Sequence, residues 1–245
     1  MNLCQKIHKR LTMLRLQPIR VFCFHLVSDV FDSLSGWECD WIQTDVFKRK
    51  VLSLKEEYTF ISLQEAYEYL LHDTIRTKKY AVLTADDGMQ CLSSILPWLE
   101  EQRIPITLFL SANYLDGKSY YLGYDAYWEK QGVAVPALAP SELYLTKEQI
   151  GGLQSPMYSI GIHGWKHVPV PSLKEEEFEQ QTNMAIDDLS RYAQYIPFYA
   201  YTYGRHTNES DAFVRQKNLV PVLCDGKVNV KYDGYIHRES MESLK

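Results

Sequence analysis

The sequence lacks the features of several protein classes. No apolar stretch approaches the roughly 18 residues of a membrane-spanning helix. The N-terminus also lacks the apolar core of roughly 7 to 15 residues that marks a secretory signal. The five cysteines are odd in number and include no Cys-x-x-Cys pair, so neither a disulfide framework nor a cysteine zinc site is indicated. We therefore expect a protein of a reducing, cytoplasmic compartment.

The chain also lacks an excess of positive charge. Its formal net charge is −5, whereas binding to nucleic-acid phosphates depends on clustered Lys and Arg. We therefore do not expect nucleic acid as the partner. Tyrosine, by contrast, is abundant, with 18 residues, and this favours a surface that contacts polar, ring-shaped ligands.

The first seventeen residues differ from the rest of the chain. Leu3, Ile7, Leu11 and Leu14 recur at helical spacing among basic residues, and no acidic residue is present. This pattern predicts a short basic amphipathic helix over residues 1–17. Such a helix either packs on the end of the domain or contacts anionic lipid at the inner membrane face.

Residues 18–245 read as one α/β domain. About seven short apolar segments alternate with helical patterns, and 245 residues with 46% hydrophobic content suit a single core. An alternating βα series predicts a parallel sheet with right-handed crossovers, either an open sheet or a barrel. In both architectures ligands bind at the carboxyl ends of the strands.

Polar side chains follow several of the predicted strands. Because the carboxyl ends of parallel strands lie at one rim, these side chains are expected to meet there. The residues in question are His25, Asp86, Asp87, His163, Tyr203 and His237. A long aromatic-rich segment between residues 114 and 143 either packs on itself or contributes rings that stack on sugars.

The most informative stretch is the apolar run that ends in Asp86, Asp87 and Gly88. An Asp before a helix is commonly an N-cap, but two adjacent buried carboxylates repel each other unless a cation lies nearby. Farther along the chain, His163 and His167 are four residues apart at another strand end. Two histidines and one aspartate with an open position suit catalytic zinc or a related divalent ion.

Taken together, the motifs resemble those of the polysaccharide deacetylase family, also called the NodB-homology or carbohydrate esterase 4 group. The family's Thr-Phe-Asp-Asp-Gly motif resembles residues 84–88, and its His-Ser/Thr-x-x-His motif resembles residues 163–167. Its Arg-x-Pro-Tyr-Gly motif resembles residues 200–204. The resemblance implies a distorted (β/α)7 barrel in a single catalytic domain over residues 18–245.

The resemblance also implies roles for individual residues. Asp86 would be the catalytic base, and a divalent metal, zinc before cobalt or nickel, would be held by Asp87, His163 and His167. The backbone N–H of Tyr203 would donate to the oxyanion. Either His237 or His25 would be the general acid. Contacts with substrate are expected from Trp165, Tyr201 and Tyr203.

Three positions depart from the family pattern. Ala85 replaces a usual Phe, which should cost packing behind the aspartates. Ala200 replaces an Arg that contacts the base in many members, so Asp86 should be held less rigidly. Thr202 replaces a Pro, which should loosen the backbone that aims the Tyr203 amide. None of the three removes a metal ligand or the base.

The function expected from the resemblance is a metal-dependent hydrolase that removes acetyl groups from N-acetylated sugars. Its substrate would be an acetylated polysaccharide or glycan intermediate available inside the cell. Two alternatives stay open: an O-acetyl esterase acting on a carbohydrate, and a sugar-binding relative that keeps the metal without turnover.

Overall fold

The structure is a computed structural model that describes residues 17–31, 38–115 and 140–244. The predicted amphipathic helix, except for Gln17, and most of the aromatic-rich segment lie outside these ranges, so both stay predictions. None of the helices in the described ranges combines the length and the apolar character that crossing a bilayer requires.

A parallel sheet, nearly closed into a barrel, forms the centre of the molecule. Its strands are β1 (Ile19–Phe24), β4 (Thr59–Phe60), β5 (Tyr80–Ala85), β6 (Ile106–Leu110), β7 (Tyr158–Ile162), β8 (Tyr195–Ala200), β9 (Val220–Leu223), β10 (Ile236–His237) and β11 (Glu239–Ser240). They follow one another in the sheet as β10-β9-β8-β7-β6-β5-β1-β11, with β4 paired to β5, and every one of these pairings is parallel. The predicted barrel is confirmed.

The predicted first strand is divided at His25. Its second part, β2 (Leu26–Ser28), leaves the barrel and pairs with β3 (Trp41–Gln43) in a separate two-stranded sheet. His25 is therefore held at the point where the chain leaves the rim.

Helices follow most of the strands, as the alternating pattern predicts. They are α1 (Thr44–Glu57), α2 (Leu63–Leu71), α3 (Leu96–Glu101), α4 (Pro140–Leu143), α5 (Lys147–Gly152), α6 (Glu175–Leu189) and α7 (Asn208–Gln216). Ser62 caps α2, and Thr146 and Thr207 form capping boxes at α5 and α7. The acidic run at the start of α6 lies in its first turn, where negative charge is favoured by the helix dipole.

Alternate strand positions supply two separate apolar clusters. One contains Val21, Val82, Phe109, Phe198 and Val222 together with one face of α2, and it fills the barrel. The other lies on the opposite faces of the strands, against the surrounding helices. Because side chains alternate along a strand, the residues two positions beyond the barrel cluster also face inwards, at the carboxyl end.

A short C-terminal segment joins the two ends of the sheet. β10 pairs with β9, and β11 pairs with β1. Only Arg238 separates these two strands. We call this junction the seam, defined by β9, β1 and the segment Ile236–Ser240 that lies between them.

Candidate active site

The two adjacent carboxylates leave the end of β5 in different directions. The Asp86 amide donates to the Phe24 carbonyl at 3.0 Å, so the pairing with β1 continues to this residue. The chain then turns sharply, with φ of 69° at Asp87 and 75° at Gly88. A Cβ atom at Gly88 would lie 2.7 Å from Cδ2 of Leu110, so glycine suits this turn both by its positive φ and by avoiding this contact.

Asp87 meets the two histidines of the 163–167 segment. Its Oδ1 lies 3.3 Å from Nε2 of His163 and 2.9 Å from Nε2 of His167, and the candidate ligand atoms all lie within 4.8 Å of one another. Gly164 and His167 have positive φ values of 73° and 53°, which turn the segment so that both imidazoles face the carboxylate. The predicted cluster is therefore assembled.

The donor set fits a divalent cation. In the described residues, the buried Oδ1 of Asp87 accepts no hydrogen bond of acceptable geometry, although two imidazole nitrogens lie close to it. Nδ1 of His163 lies 2.9 Å from the Ala200 carbonyl. A proton on that nitrogen donates to the carbonyl and leaves Nε2 as a free ligand atom, which is the usual arrangement of a metal-binding histidine. Two imidazoles and one carboxylate are a common set for catalytic zinc.

The electrostatics of the cluster also favour a cation. Burial alone would raise the pKa of the Asp87 carboxyl, but the imidazoles of His167 and His163 hold it well below its usual range. Burial opposes charge on His163 as well, yet the carboxylates of Asp86 and Asp87 raise its pKa. The Asp87 carboxyl is thus kept in the ionised form that a metal ligand requires.

Asp86 is paired with an arginine from the C-terminal segment. Nη1 of Arg238 lies 2.6 Å from Oδ1, and Nη2 lies 2.7 Å from Oδ2. Nη1 also donates to the Thr84 hydroxyl at 3.1 Å. Burial would raise the pKa of Asp86, but the charges of Arg238 and His163 lower it. Asp86 is therefore held ionised and in one orientation.

This ion pair corrects the expectation drawn from Ala200, since Asp86 does have an arginine partner. The motifs of the sequence did not assign Arg238 to Asp86. Arg238 lies two residues after the inward-facing Ile236, and this spacing was the one signal that its side chain also faces inwards. The strand itself is only two residues long, too short for a clear alternation.

The two candidate acids occupy different environments. His25 is paired with Glu242: its Nδ1 and its backbone nitrogen both lie 3.1 Å from Oε1 of that residue. Nδ1 of His237 lies 3.0 Å from Asp225, and its Nε2 lies 3.1 Å from Asp233. Within the described ranges, no ion pair joins His237 to the cluster, because it points away on the strand position next to Arg238. The structure therefore does not bring His237 to the site.

The three aromatic residues expected to contact substrate also differ. Tyr203 is half-exposed, with φ of 56°, and its ring centroid lies 4.9 Å from that of His167. Trp165 is partly buried against the core. Tyr201 is 1% exposed, and its hydroxyl donates to Asp211 at 2.8 Å. Tyr201 therefore packs on the helix-facing side of the sheet, against α7, and does not offer a surface to a sugar, contrary to expectation.

The other departures from the family pattern have structural consequences. The Thr202 hydroxyl donates to the Val168 carbonyl at 2.7 Å. It therefore fastens the Tyr203 turn to the segment that carries His167, whereas loosening was expected. Ala85 is fully buried in the cluster that contains Phe24 and Phe47, whose ring centroids lie 4.7 Å apart.

Comparison with known proteins gives a consistent result. A family model described as polysaccharide deacetylase matches residues 73–222. A search of curated proteins finds no match by sequence. The fold is similar to that of IcaB from Ammonifex degensii, with a TM-score of 0.74, 20% identity and 92% of each chain covered.

Two further solved structures have the same fold. A de-N-acetylase from Aggregatibacter actinomycetemcomitans has a TM-score of 0.72 and 15% identity, covering 94% of this chain and 97% of that one. The deacetylase PplD of Streptococcus pyogenes, solved with acetate, has a TM-score of 0.67 and 17% identity, covering 91% and 92%. At such low identity, these structures show the shared fold alone.

Proposed function

Because the chain belongs to the polysaccharide deacetylase family, we propose that it is a metal-dependent hydrolase that removes acetyl groups from N-acetylated sugars. The substrate would be an acetylated polysaccharide or a glycan intermediate. One observation carries this proposal: the Asp87, His163 and His167 ligand atoms converge within 4.8 Å next to an ionised carboxylate, Asp86, held by Arg238.

The proposed metal site consists of Asp87, His163 and His167. A divalent ion bound there, most simply Zn²⁺, polarises a carbonyl group and lowers the pKa of water. The contact with the Ala200 carbonyl orients His163, and the Thr202 hydroxyl holds the segment that carries His167 through the Val168 carbonyl. The chain therefore supports two of its three ligands with hydrogen bonds from outside the cluster.

Asp86 is the proposed general base. An ionised carboxylate has about four lone-pair sites, and Arg238 occupies one on each oxygen. Oδ2 retains a site on the side of the histidines, with Nε2 of His163 3.9 Å away. Asp86 is therefore placed to take a proton from a water molecule at the cluster, and Arg238 prevents the carboxylate from rotating away.

The tetrahedral oxyanion also needs donors. We assign one to the backbone N–H of Tyr203. The positive φ of this residue turns the backbone at the rim, beside the ring of His167. The half-exposed ring of Tyr203 and the partly buried ring of Trp165 are the proposed contacts for the sugar.

His25 is the better of the two candidates for the general acid. Burial disfavours its imidazolium, but the Glu242 hydrogen bond and the charges of Asp87 and Asp86 raise its pKa to about 10. It therefore carries a proton at neutral pH and lies within the electrostatic reach of both aspartates. His237 has both ring nitrogens engaged by Asp225 and Asp233, which makes it the weaker candidate.

The test combines metal content with acetate release. Purified protein is analysed for bound metals and assayed on N-acetylglucosamine oligomers and O-acetylated glycans, with and without a chelator. We expect acetate from the N-acetylated substrate and its loss after chelation. Acetate from the O-acetylated substrate alone indicates the esterase, and bound metal without release from either substrate favours the sugar-binding relative.

Two matched substitutions separate the roles of the aspartates. Asp86→Asn should retain the metal and lose at least about 100-fold in rate, as expected for a general base. Asp87→Asn should lose the metal because a ligand is removed. An unchanged rate in Asp86→Asn would contradict the base assignment, and full metal occupancy in Asp87→Asn would contradict the ligand set.

A further inference from the structure

Two cysteines from distant parts of the chain meet at the seam. Cys23 and Cys224 are 201 residues apart, yet their Sγ atoms are separated by 2.8 Å. Cys23 is fully buried near the end of β1, and Cys224 is exposed, directly after β9. No local sequence pattern indicates this pair, because the two residues come together only when the barrel closes.

The position of the pair is defined by the seam. β1 and β9 do not pair with each other in the sheet, since the segment Ile236–Ser240 lies between them. The Cys23 thiol also lies 3.6 Å from the carbonyl oxygen of Glu239, the residue that follows Arg238. The two sulfurs therefore cross the seam beside the arginine that holds Asp86.

We propose that Cys23 and Cys224 are a site of reversible disulfide formation, which links β1 covalently to the end of β9. The oxidant is a low-molecular-weight disulfide of the glutathione type. The Cys224 thiolate attacks one sulfur of the oxidant and releases one thiol, which leaves a mixed disulfide on Cys224. The Cys23 thiolate then attacks Sγ of Cys224 and releases the second thiol. Two protein thiols are oxidised, and one small disulfide is reduced to two thiols.

The geometry suits this order of events. A disulfide has an S–S length of about 2.05 Å, so the two sulfurs must approach by about 0.8 Å from their present separation. The attacking cysteine has to be the one closer to solvent, and Cys224 is an exposed residue. The resolving sulfur has to lie next to the mixed disulfide while being protected from the oxidant, and Cys23 is buried.

The charges around the pair favour the same order. The hydrogen bond with Cys23 lowers the pKa of the Cys224 thiol to about 7 against the effect of burial, and the charge of Arg238 acts in the same direction. The hydrogen bond with Cys224 and burial both raise the pKa of Cys23. Thiolate is the attacking species in disulfide exchange, so Cys224 is the first residue to react.

The test measures the disulfide itself and does not depend on deacetylase activity. The full chain is equilibrated at a series of ratios of reduced to oxidised glutathione, then alkylated in denaturant and mapped by peptide mass spectrometry. We expect a linked peptide pair containing Cys23 and Cys224, the loss of two alkylated thiols and full reversal by dithiothreitol. Cys39 and Cys91 should not appear in the linked peptide.

Two variants complete the test. Cys224→Ser changes a single atom of an exposed residue, so it should fold normally and lose the linked peptide. Cys91→Ser is the matched control and should form the link as the wild type does. Three results would overturn the proposal: a mixed disulfide that persists on Cys224 while Cys23 stays alkylatable, a link from Cys224 to another cysteine, or no oxidation at any ratio.

Discussion

Arg238 forms a bidentate ion pair with Asp86, a residue 152 positions earlier in the chain, and both side chains are buried. A fork of two parallel hydrogen bonds fixes both the position and the rotation of a carboxylate. In this chain, the arginine that steadies the proposed base comes from the segment that closes the barrel. The closure of the fold and the orientation of the base therefore depend on the same residue.

The first prediction concerns Arg238→Met. Removing one partner of a buried ion pair leaves an uncompensated charge, and we expect a loss of about 3–5 kcal/mol in the free energy of unfolding. Because Arg238 lowers the pKa of Asp86 against the effect of burial, the pKa of Asp86 should rise in the variant. The acidic limb of the profile of kcat/KM against pH should therefore move to higher pH. Denaturant titration and pH-dependent kinetics measure the two effects.

Arg20→Met is the matched control for that substitution. Arg20 forms a comparable two-point contact with Glu239, at 2.8 and 2.6 Å, but this pair is partly exposed and does not touch Asp86. Arg20→Met should lower the free energy of unfolding by less than Arg238→Met does, and it should leave the profile of kcat/KM against pH unchanged. Equal shifts of the acidic limb in the two variants would show that Arg238 affects only the stability of the fold.

The second prediction concerns Gly161→Ala on β7. A methyl group at this position would lie 2.6 and 2.8 Å from two atoms of the Phe109 ring. Arg238 also lies against that ring, with its guanidinium carbon 5.1 Å from the ring centroid. We expect a loss of about 1–3 kcal/mol from overpacking and a fall in kcat through displacement of Arg238.

Gly152→Ala provides the comparison for Gly161→Ala. A methyl group there has no neighbour within 4 Å, and the residue lies at the end of α5, so the substitution should leave stability equal or slightly raised. Thermal or denaturant unfolding measures both variants. If Gly161→Ala is as stable and active as the wild type, then the packing of the Phe109 ring does not control the position of Arg238.

The sequence predicted the parts of this site that depend on local order. Asp86, Asp87, His163 and His167 each follow a clear apolar strand, and the strand-end rule therefore brings them together. Arg238 and the Cys23–Cys224 pair depend on how the last segment aligns with β1 and β9. Its two strands are two residues each, so no periodicity could show which side chains face inwards. The burial of Tyr201 against α7 likewise involves the Asp211 carboxylate, a partner that the local pattern does not reveal.

The third prediction concerns Thr202→Val. The change keeps the shape of the side chain but removes the hydroxyl that donates to the Val168 carbonyl at 2.7 Å. Leaving this carbonyl without its donor should cost about 1–3 kcal/mol. Because Val168 follows the ligand His167, metal affinity should fall by about tenfold, as for other groups that support a ligand.

Thr202→Ser keeps the hydroxyl and should restore most of the metal affinity. Competitive titration with a chelating indicator measures the affinity of each variant, and circular dichroism confirms that each one is folded. If Thr202→Val and Thr202→Ser bind the metal equally, the hydroxyl has no part in holding the His167 segment.

The fourth prediction uses the pairing of His25 with Glu242. The folded-state pKa of His25 is raised to about 10 from an ordinary value of 6.5, since Glu242 and the two aspartates outweigh the effect of burial. A group whose folded-state pKa is raised contributes its stability fully below the unfolded-state pKa, and this contribution is lost as the pH rises through the folded-state value. In metal-free protein, the wild type should therefore lose stability between about pH 6.5 and pH 10 relative to Glu242→Gln.

The expected size of that difference is about 1–3 kcal/mol at pH 6.5, as for a hydrogen bond to a charged group, and it should shrink towards pH 10. Urea titrations in the presence of a chelator at several pH values measure it. His72→Gln removes an exposed imidazole that lies 3.2 Å from Glu68 on α2, and its curve should run parallel to that of the wild type. A constant gap between the wild type and Glu242→Gln over the whole pH range would mean that His25 does not carry the proton that the proposed general acid requires.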